Sequence, residues 1–263
     1  VILTFPIFGV CLYLLFGRSG AVNIMRGRFT RTDTELQPHY ATPLDRAAMP
    51  QDPALQNQIH YLQTQAHYPA CRNTDVTYYG DTNAALEAQK TDLRKAQHFI
   101  FMEYHAIEDS IAWQGIEDIL AERAAAGVEV RVFYDDMGSI GFVDTAFAKK
   151  LQQRGIQCRV FNPIVPVLNV FMNNRDHRKI TVIDGQVGYT GGYNLADEYF
   201  NLTHPSGRWK DSGVRLEGDA VRNLTLIFLE MWGTTQKEMP AIEPYLPAIR
   251  YTAREAATVL PYA

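Results

Sequence analysis

The chain has 263 residues, 46% hydrophobic and 21% charged, which is enough for one large domain or two small ones with an apolar core. Its net charge of -4 gives no basic excess and argues against a nucleic-acid partner. Cys11, Cys71 and Cys158 lie far apart with no C-x-x-C pair, so neither a disulfide framework nor a zinc site is expected, and a reducing compartment fits best.

Residues 1–17 (VILTFPIFGVCLYLLFG) carry no charge. As a helix, the run up to Phe16 would span roughly 24 Å, short of the ~30 Å hydrocarbon core. It is read as part of a transmembrane helix whose first turns lie ahead of Val1. A secretory leader would place its basic residues before the apolar run. Here Arg18, Arg26, Arg28 and Arg31 follow it, with no acid until Asp33. That order places the rest of the chain on the cytoplasmic side of an inner membrane. A buried core helix is the second reading, because no polar face is visible.

Residues 18–72 read as a juxtamembrane connector containing Pro38, Pro43, Pro50 and Pro53, with a weak amphipathic stretch at 44–62. A denser pattern then begins. Strands are expected at 75–79, 98–104, 128–134 and 157–161, with helices at 83–96, 109–126 and 144–154. Gly127 and Gly155 stop the last two helices. This alternation predicts an α/β fold, a mixed sheet flanked by helices on both faces. Further on, 179–183 and 186–190 read as a hairpin joined by Asp184-Gly185, 214–216 as a short strand and 219–232 as a helix. The expected division is 1–17 membrane segment, 18–72 connector, 73–235 domain, and 236–263 a tail towards a further domain.

The chemistry concentrates in an H-x-K-x4-D pattern made by His177, Lys179 and Asp184. On an extended strand His177 and Lys179 share a face. A mostly neutral imidazole beside an ammonium suits attack on phosphorus, with the lysine holding phosphate oxygens. A two-residue Asp184-Gly185 turn sets Ile183 opposite Gln186, and by the same count His177 opposite Gly192. Asn194 then falls just beyond the histidine. Gly191 and Gly192 let backbone approach a ligand, and the Asn194 amide can donate to a phosphate oxygen.

The strings HRKITVIDG and GYTGGYNLADEY resemble the phospholipase D superfamily, and within it the bacterial cardiolipin synthases. FMEYHAIED, YDDMGS, NNRDHRKI and WKDSGVRLEG agree, as does the apolar start with its basic flank. The resemblance implies a phospholipase D-like fold. It implies His177 as a nucleophile forming a phosphatidyl-histidine intermediate, Lys179 and Asn194 (with Gly192) as phosphate ligands, and Asp184 as an orienting acid. A turn position alone would equally justify the aspartate. Glu103, Tyr104, Asp197 and Glu198 are second candidates, the acids as partners that would hold the His177 ring; a solvated strand end and a helix first turn are the structural alternatives. Trp209 and Asp211 would shape the rim.

The resemblance implies transfer of a phosphatidyl group between two phosphatidylglycerol molecules at the membrane, with release of glycerol and with no metal or cofactor. The rival readings are hydrolysis of phospholipids and a non-catalytic, membrane-tethered module that binds anionic phospholipids. One departure is large. Family members carry the pattern twice, and here it occurs once. The other histidines, at 60, 67, 98, 105 and 204, lack a lysine two residues on, so no proton donor for the leaving group is evident. The second half is expected from the same full-length polypeptide or from a second copy.

Overall fold

The computed structural model describes residues 4–16, 20–163, 175–239, 241–248, 251–255 and 257–263. Asn173 and Asn174 of the NNRDHRKI string, and Gly17 and Arg18 at the end of the apolar run, lie outside these residues.

Seven strands form one sheet: β1 (Thr74–Tyr79), β2 (Phe99–Tyr104), β3 (Glu129–Asp135), β4 (Gln157–Phe161), β5 (Lys179–Ile183), β6 (Val187–Gly191) and β7 (Gly213–Gly218). Their order is β1-β7-β6-β5-β2-β3-β4. β2, β3 and β4 are parallel, whereas β5, β6, β7 and β1 each run antiparallel to their neighbours. The sheet therefore changes character where β5 lies against β2, and Lys179 stands opposite Tyr104 there.

Helices cover both faces, as the strand–helix alternation requires. On one side α4 (Thr82–Leu93), α5 (Ile111–Ala125) and α6 (Phe147–Gln153) bury Leu86, Leu93, Trp113, Ile116, Leu120, Phe147 and Leu151 against Ile100, Met102, Val130 and Val132. The alternate strand positions Phe99, Phe101, Phe133, Ile180 and Val182 face α7 (Ala220–Thr234). Phe228 of α7 stacks on Phe101 with ring centroids 4.5 Å apart. Both glycine stops hold: Gly127 and Gly155 sit at φ +91° and +81°, a region where a side chain is strained.

The apolar start forms α1 (Pro6–Phe16), with Phe5, Ile7, Phe8 and Val10 exposed. Among the described residues no helix is long and apolar enough to cross a membrane. The stretch expected to be a connector is more ordered than its prolines suggest. α2 (Gly20–Leu36) packs along α7, burying Thr32 and Leu36, and Arg31 donates to the Lys237 and Gln236 carbonyls. α3 (Pro53–Thr64) starts on Asp52, whose carboxylate accepts from Ala54 N–H, with Pro53 in the first turn. The tail is also anchored. Cys71 and Val259 exchange two backbone hydrogen bonds of 2.7 and 2.8 Å, and the Tyr245 ring packs edge-on against Phe99 and Phe101.

The hairpin differs from expectation by one residue. Asp184 and Gly185 both take positive φ, +52° and +64°, as a tight hairpin turn demands, and Gln186 N–H closes the turn onto the Ile183 carbonyl. The ladder, however, pairs Ile183 with Val187. Gln186 is an extra residue whose carbonyl accepts from Gly218 N–H on β7. This shift brings Lys179 level with Gly191, and His177 level with Tyr193 instead of Gly192.

Candidate functional site

His177 lies just before β5, at the edge where β5 adjoins β2, and its ring is exposed. Two backbone clamps hold the segment. Asp135, at the end of β3 and fully buried, accepts from Asp176 N–H at 2.8 Å and Gly138 N–H at 3.1 Å and pairs with Arg175 at 3.2 Å. His105, just past β2, donates its backbone N–H to the Arg178 carbonyl at 3.1 Å, and its Nδ1 lies 2.6 Å from the Asp176 carbonyl. A carbonyl only accepts, so Nδ1 is the protonated nitrogen and Nε2 is left free to exchange a proton. Gly138 makes room for this ring, since a Cβ there would lie 2.7 Å from the His105 Nε2.

The His105 and His177 rings are in contact, with centroids 4.7 Å apart and planes at 51°. Lys179 is buried at 6% exposure, and its Nζ curls back to donate to the His177 carbonyl at 2.8 Å. Burial pushes the Lys179 ammonium down to about 8, against the opposing pull of Asp176 and Asp211. Partial desolvation, then the Lys179 charge and the His105 ring, hold His177 below the ordinary histidine value. The result is a neutral, accessible imidazole beside a desolvated cation, which suits a phosphorus nucleophile with an anion clamp.

These shifts have a signed consequence. Because the His177 value is lowered, kcat/KM should fall about tenfold per pH unit only below the ordinary histidine range, as the ring gains its proton. Above about 8 it should fall again as Lys179 loses its proton. Lys179→Arg should remove the Lys179 part of that limb, since a guanidinium stays charged, and leave whatever part belongs to the acid that protonates the leaving group. An alkaline limb unchanged in that variant would assign it to another group.

Several expected site residues are engaged elsewhere. Asp184 sits at the opposite end of β5, ~23 Å from His177 along an extended chain. Its carboxylate accepts three backbone N–H groups, from Gln97, His98 and Phe99, each at 2.8 Å, and so caps the start of β2. Asp184→Ala should therefore cost about 2–3 kcal/mol in denaturant unfolding, while the kcat of the folded fraction stays near that of the parent. A catalytic aspartate would give the reverse pattern.

Asn194 is buried, its carbonyl oxygen accepting from Ala106 N–H and its amide donating to the Tyr199 hydroxyl. It fastens the loop after β2, beside His105. Gly192 donates its N–H to the Ser212 carbonyl, and a Cβ there would meet Asp211 Oδ1 at 2.1 Å. Its missing side chain thus admits Asp211, which the Trp209 indole N–H also reaches at 3.4 Å.

The second candidates divide similarly. Asp197 accepts from Ser110 Oγ and Ala112 N–H, both at 2.8 Å, and caps α5. Glu198 stands on the same 3-10 turn, Asp197–Phe200, half-buried. Tyr104 bonds Thr181 and Gln89 within the core. Glu103 is fully buried on the α7 side, beside Asp176 and 3.7 Å from Arg178, which also pairs with Glu230 at 3.1 Å. Desolvation first, and the Asp176 charge second, hold the Glu103 carboxyl well above its ordinary value. It supports the segment before His177 from beneath and is not the ring's partner. The residues that sequence reasoning missed are His105, Asp135 and Asp176. FMEYHAIED, YDDMGS and NNRDHRKI contain all three, but only the pairing of β2 with both β3 and β5 brings them together.

Comparison with known proteins places this arrangement. The family profile "Cardiolipin synthase, PLD-like domain" matches residues 90–232, which includes β2 to β7 and most of α7. A cardiolipin synthase of Staphylococcus aureus is 32% identical over 95% of this chain and 52% of its own length. An uncharacterized protein of Streptococcus mutans is 36% identical over 100% of this chain and 57% of its own length. The chain thus spans about half the length of the curated relatives it matches. Among solved structures, Nuc from Salmonella typhimurium, a phospholipase D family member, covers 61% of this chain and 94% of its own at 16% identity and a TM-score of 0.45. On the profile and the S. aureus relative, the chain belongs to the PLD-like domain family of cardiolipin synthases.

Proposed function

We propose that this chain carries the nucleophilic half of a phosphatidyltransferase that joins two phosphatidylglycerol molecules into cardiolipin and releases glycerol. The observation that carries the reading is the contact of the exposed His177 ring with His105, beside the desolvated Lys179. Family membership supplies the lipid class. A His177 ring nitrogen attacks phosphorus, forming an N–P bond as the P–O bond to glycerol breaks. Lys179 holds the non-bridging oxygens, and His105, protonated at Nε2, gives that proton to the departing glycerol oxygen. In the second step the hydroxyl of another phosphatidylglycerol attacks, its proton returns to His105 and the N–P bond breaks. A second half, from the same polypeptide or from another copy, would close the site over the phosphate. α1, with its exposed apolar side chains and the arginines beyond it, would hold the chain at the inner membrane, with the catalytic domain on the cytoplasmic side.

Vesicles of pure phosphatidylglycerol test the reading. The full-length protein should yield cardiolipin and one glycerol per cardiolipin. Phosphatidic acid as the main product would replace the transferase reading with that of a hydrolase. Lipid binding without either product would leave a phospholipid-binding module.

A further inference from the structure

Glu103 stands near the end of β2, and none of its surface reaches solvent. Among the described residues no donor bonds either of its carboxyl oxygens. The Arg178 guanidinium lies 3.7 Å away and is engaged by Glu230 at 3.1 Å and by the Ile227 carbonyl at 3.3 Å. Asp176 is also buried. Its Oδ1 accepts from Arg178 N–H at 3.0 Å, whereas its Oδ2 has no donor among the described residues. The two carboxyls lie within hydrogen-bonding reach of each other. Two carboxyls in contact away from water do not both ionise, because their repulsion adds to the cost of desolvation. Nor would two carboxylates satisfy these oxygens, since each only accepts. One proton between them removes both conflicts.

We propose that Glu103 carries that proton, donates it in a hydrogen bond to Asp176 Oδ2, and so acts as a positioning residue for His105. The proposal rests on the reading of His105 as the proton donor to glycerol and deepens it. The proton belongs on Glu103, because Asp176 already has a backbone donor that favours its charged form. Desolvation, and then the Asp176 charge, keep the Glu103 carboxyl protonated well above its ordinary range. The other charged groups facing the pair are Arg178, Glu230 from α7 and, beside Glu230, Asp33 from α2; Tyr40 and Tyr68 border them as hydroxyls that burial keeps neutral. With Glu103 neutral, Arg178 faces the carboxylates of Asp176 and Glu230 alone instead of three. The Asp176 peptide carries the effect to the site. Its N–H is held by Asp135 at 2.8 Å, its carboxylate by Arg178 N–H and Glu103, and its carbonyl meets His105 Nδ1 at 2.6 Å. A carboxylate fixed at both oxygens holds that carbonyl in place, and the carbonyl sets the tautomer and tilt of the His105 ring. A neutral Glu103 also adds no negative charge beneath His177 and Lys179.

The test uses the full-length protein. At neutral pH its infrared spectrum should contain the carbonyl stretch of a protonated carboxyl, which moves on isotopic labelling of glutamate and is absent from Glu103→Gln. Glu103→Leu, neutral but without a donor, should lower kcat/KM for phosphatidylglycerol about 10–100-fold, the loss expected when a proton donor is misplaced. It should slow a phosphatidyl ester of p-nitrophenol much less, because that leaving group needs no proton. Glu103→Gln keeps a neutral donor to Asp176, so it should recover most of the loss and leave both limbs of the pH profile where the parent has them. A missing band would overturn the shared proton. So would limbs that both move to lower pH in Glu103→Gln, because a lost negative charge disfavours both cations. Equal slowing of the two substrates in Glu103→Leu would overturn the positioning role, and Glu103→Met repeats that comparison should the leucine variant misfold. The band needs no turnover. A protein that shows it but makes no cardiolipin therefore refutes the reaction and keeps the shared proton, and turnover without the band does the opposite.

Discussion

A His177→Asn protein should lose turnover of phosphatidylglycerol by about 10⁴-fold or more and form no covalent phosphatidyl adduct. Asparagine keeps a polar side chain of similar reach, but its amide nitrogen has no lone pair available to attack phosphorus. The fold should survive. The His177 ring is exposed, the site is clamped through the backbone of Asp176 and Arg178, and the Lys179 bond goes to the His177 carbonyl, which asparagine retains. Thermal unfolding should therefore shift little, which separates this loss from misfolding. Phospholipid binding should persist, because Lys179 remains. The measurements are glycerol release from vesicles, mass spectrometry of the quenched protein for a phosphatidyl adduct, and the unfolding midpoint. An adduct on the variant would remove His177 as the nucleophile.

Much of this was legible in the sequence, for local reasons. Apolar runs bounded by Gly127 and Gly155 mark β3, β4 and the helices that precede them, α5 and α6, because a glycine with positive φ ends a helix whatever surrounds it. His177 and Lys179 were legible because their spacing is itself the chemistry. The less legible parts depend on contacts distant in sequence. Gln186 falls opposite Gly218, whose N–H its carbonyl accepts, on a strand some thirty residues later, and no reading of the turn alone foresees its place. Asp184 and Asp197 carry the right charge, but their roles are decided by which orphan N–H groups lie nearby, those of β2 and α5. The reach of α2 along α7 depends on Leu36 and Thr32 meeting a helix nearly two hundred residues away. His105 escaped notice because it has no lysine two residues on. It matters only because β5 inserts antiparallel against β2.

His105→Phe should lower turnover of phosphatidylglycerol by about 10²–10⁴-fold, the range for removing a general acid. The same variant should recover to within about tenfold of the parent on a phosphatidyl ester of p-nitrophenol. Glycerol leaves as an alkoxide unless its oxygen is protonated, so the barrier for that substrate includes the missing proton. The nitrophenolate leaves as a stable anion and needs none. The first step on this substrate then asks only for the His177 nitrogen and the Lys179 cation, which the variant keeps. Phenylalanine keeps a flat ring beside His177, but it loses the Nδ1–H bond to the Asp176 carbonyl. If His105 serves only to hold that carbonyl, and through it His177, both substrates should slow by the same factor. If a histidine from a second half protonates the glycerol, neither should slow. The ratio of the two rates, more than either rate alone, thus identifies His105 as the proton carrier. It also decides whether the chemistry of one strand edge is complete in this chain.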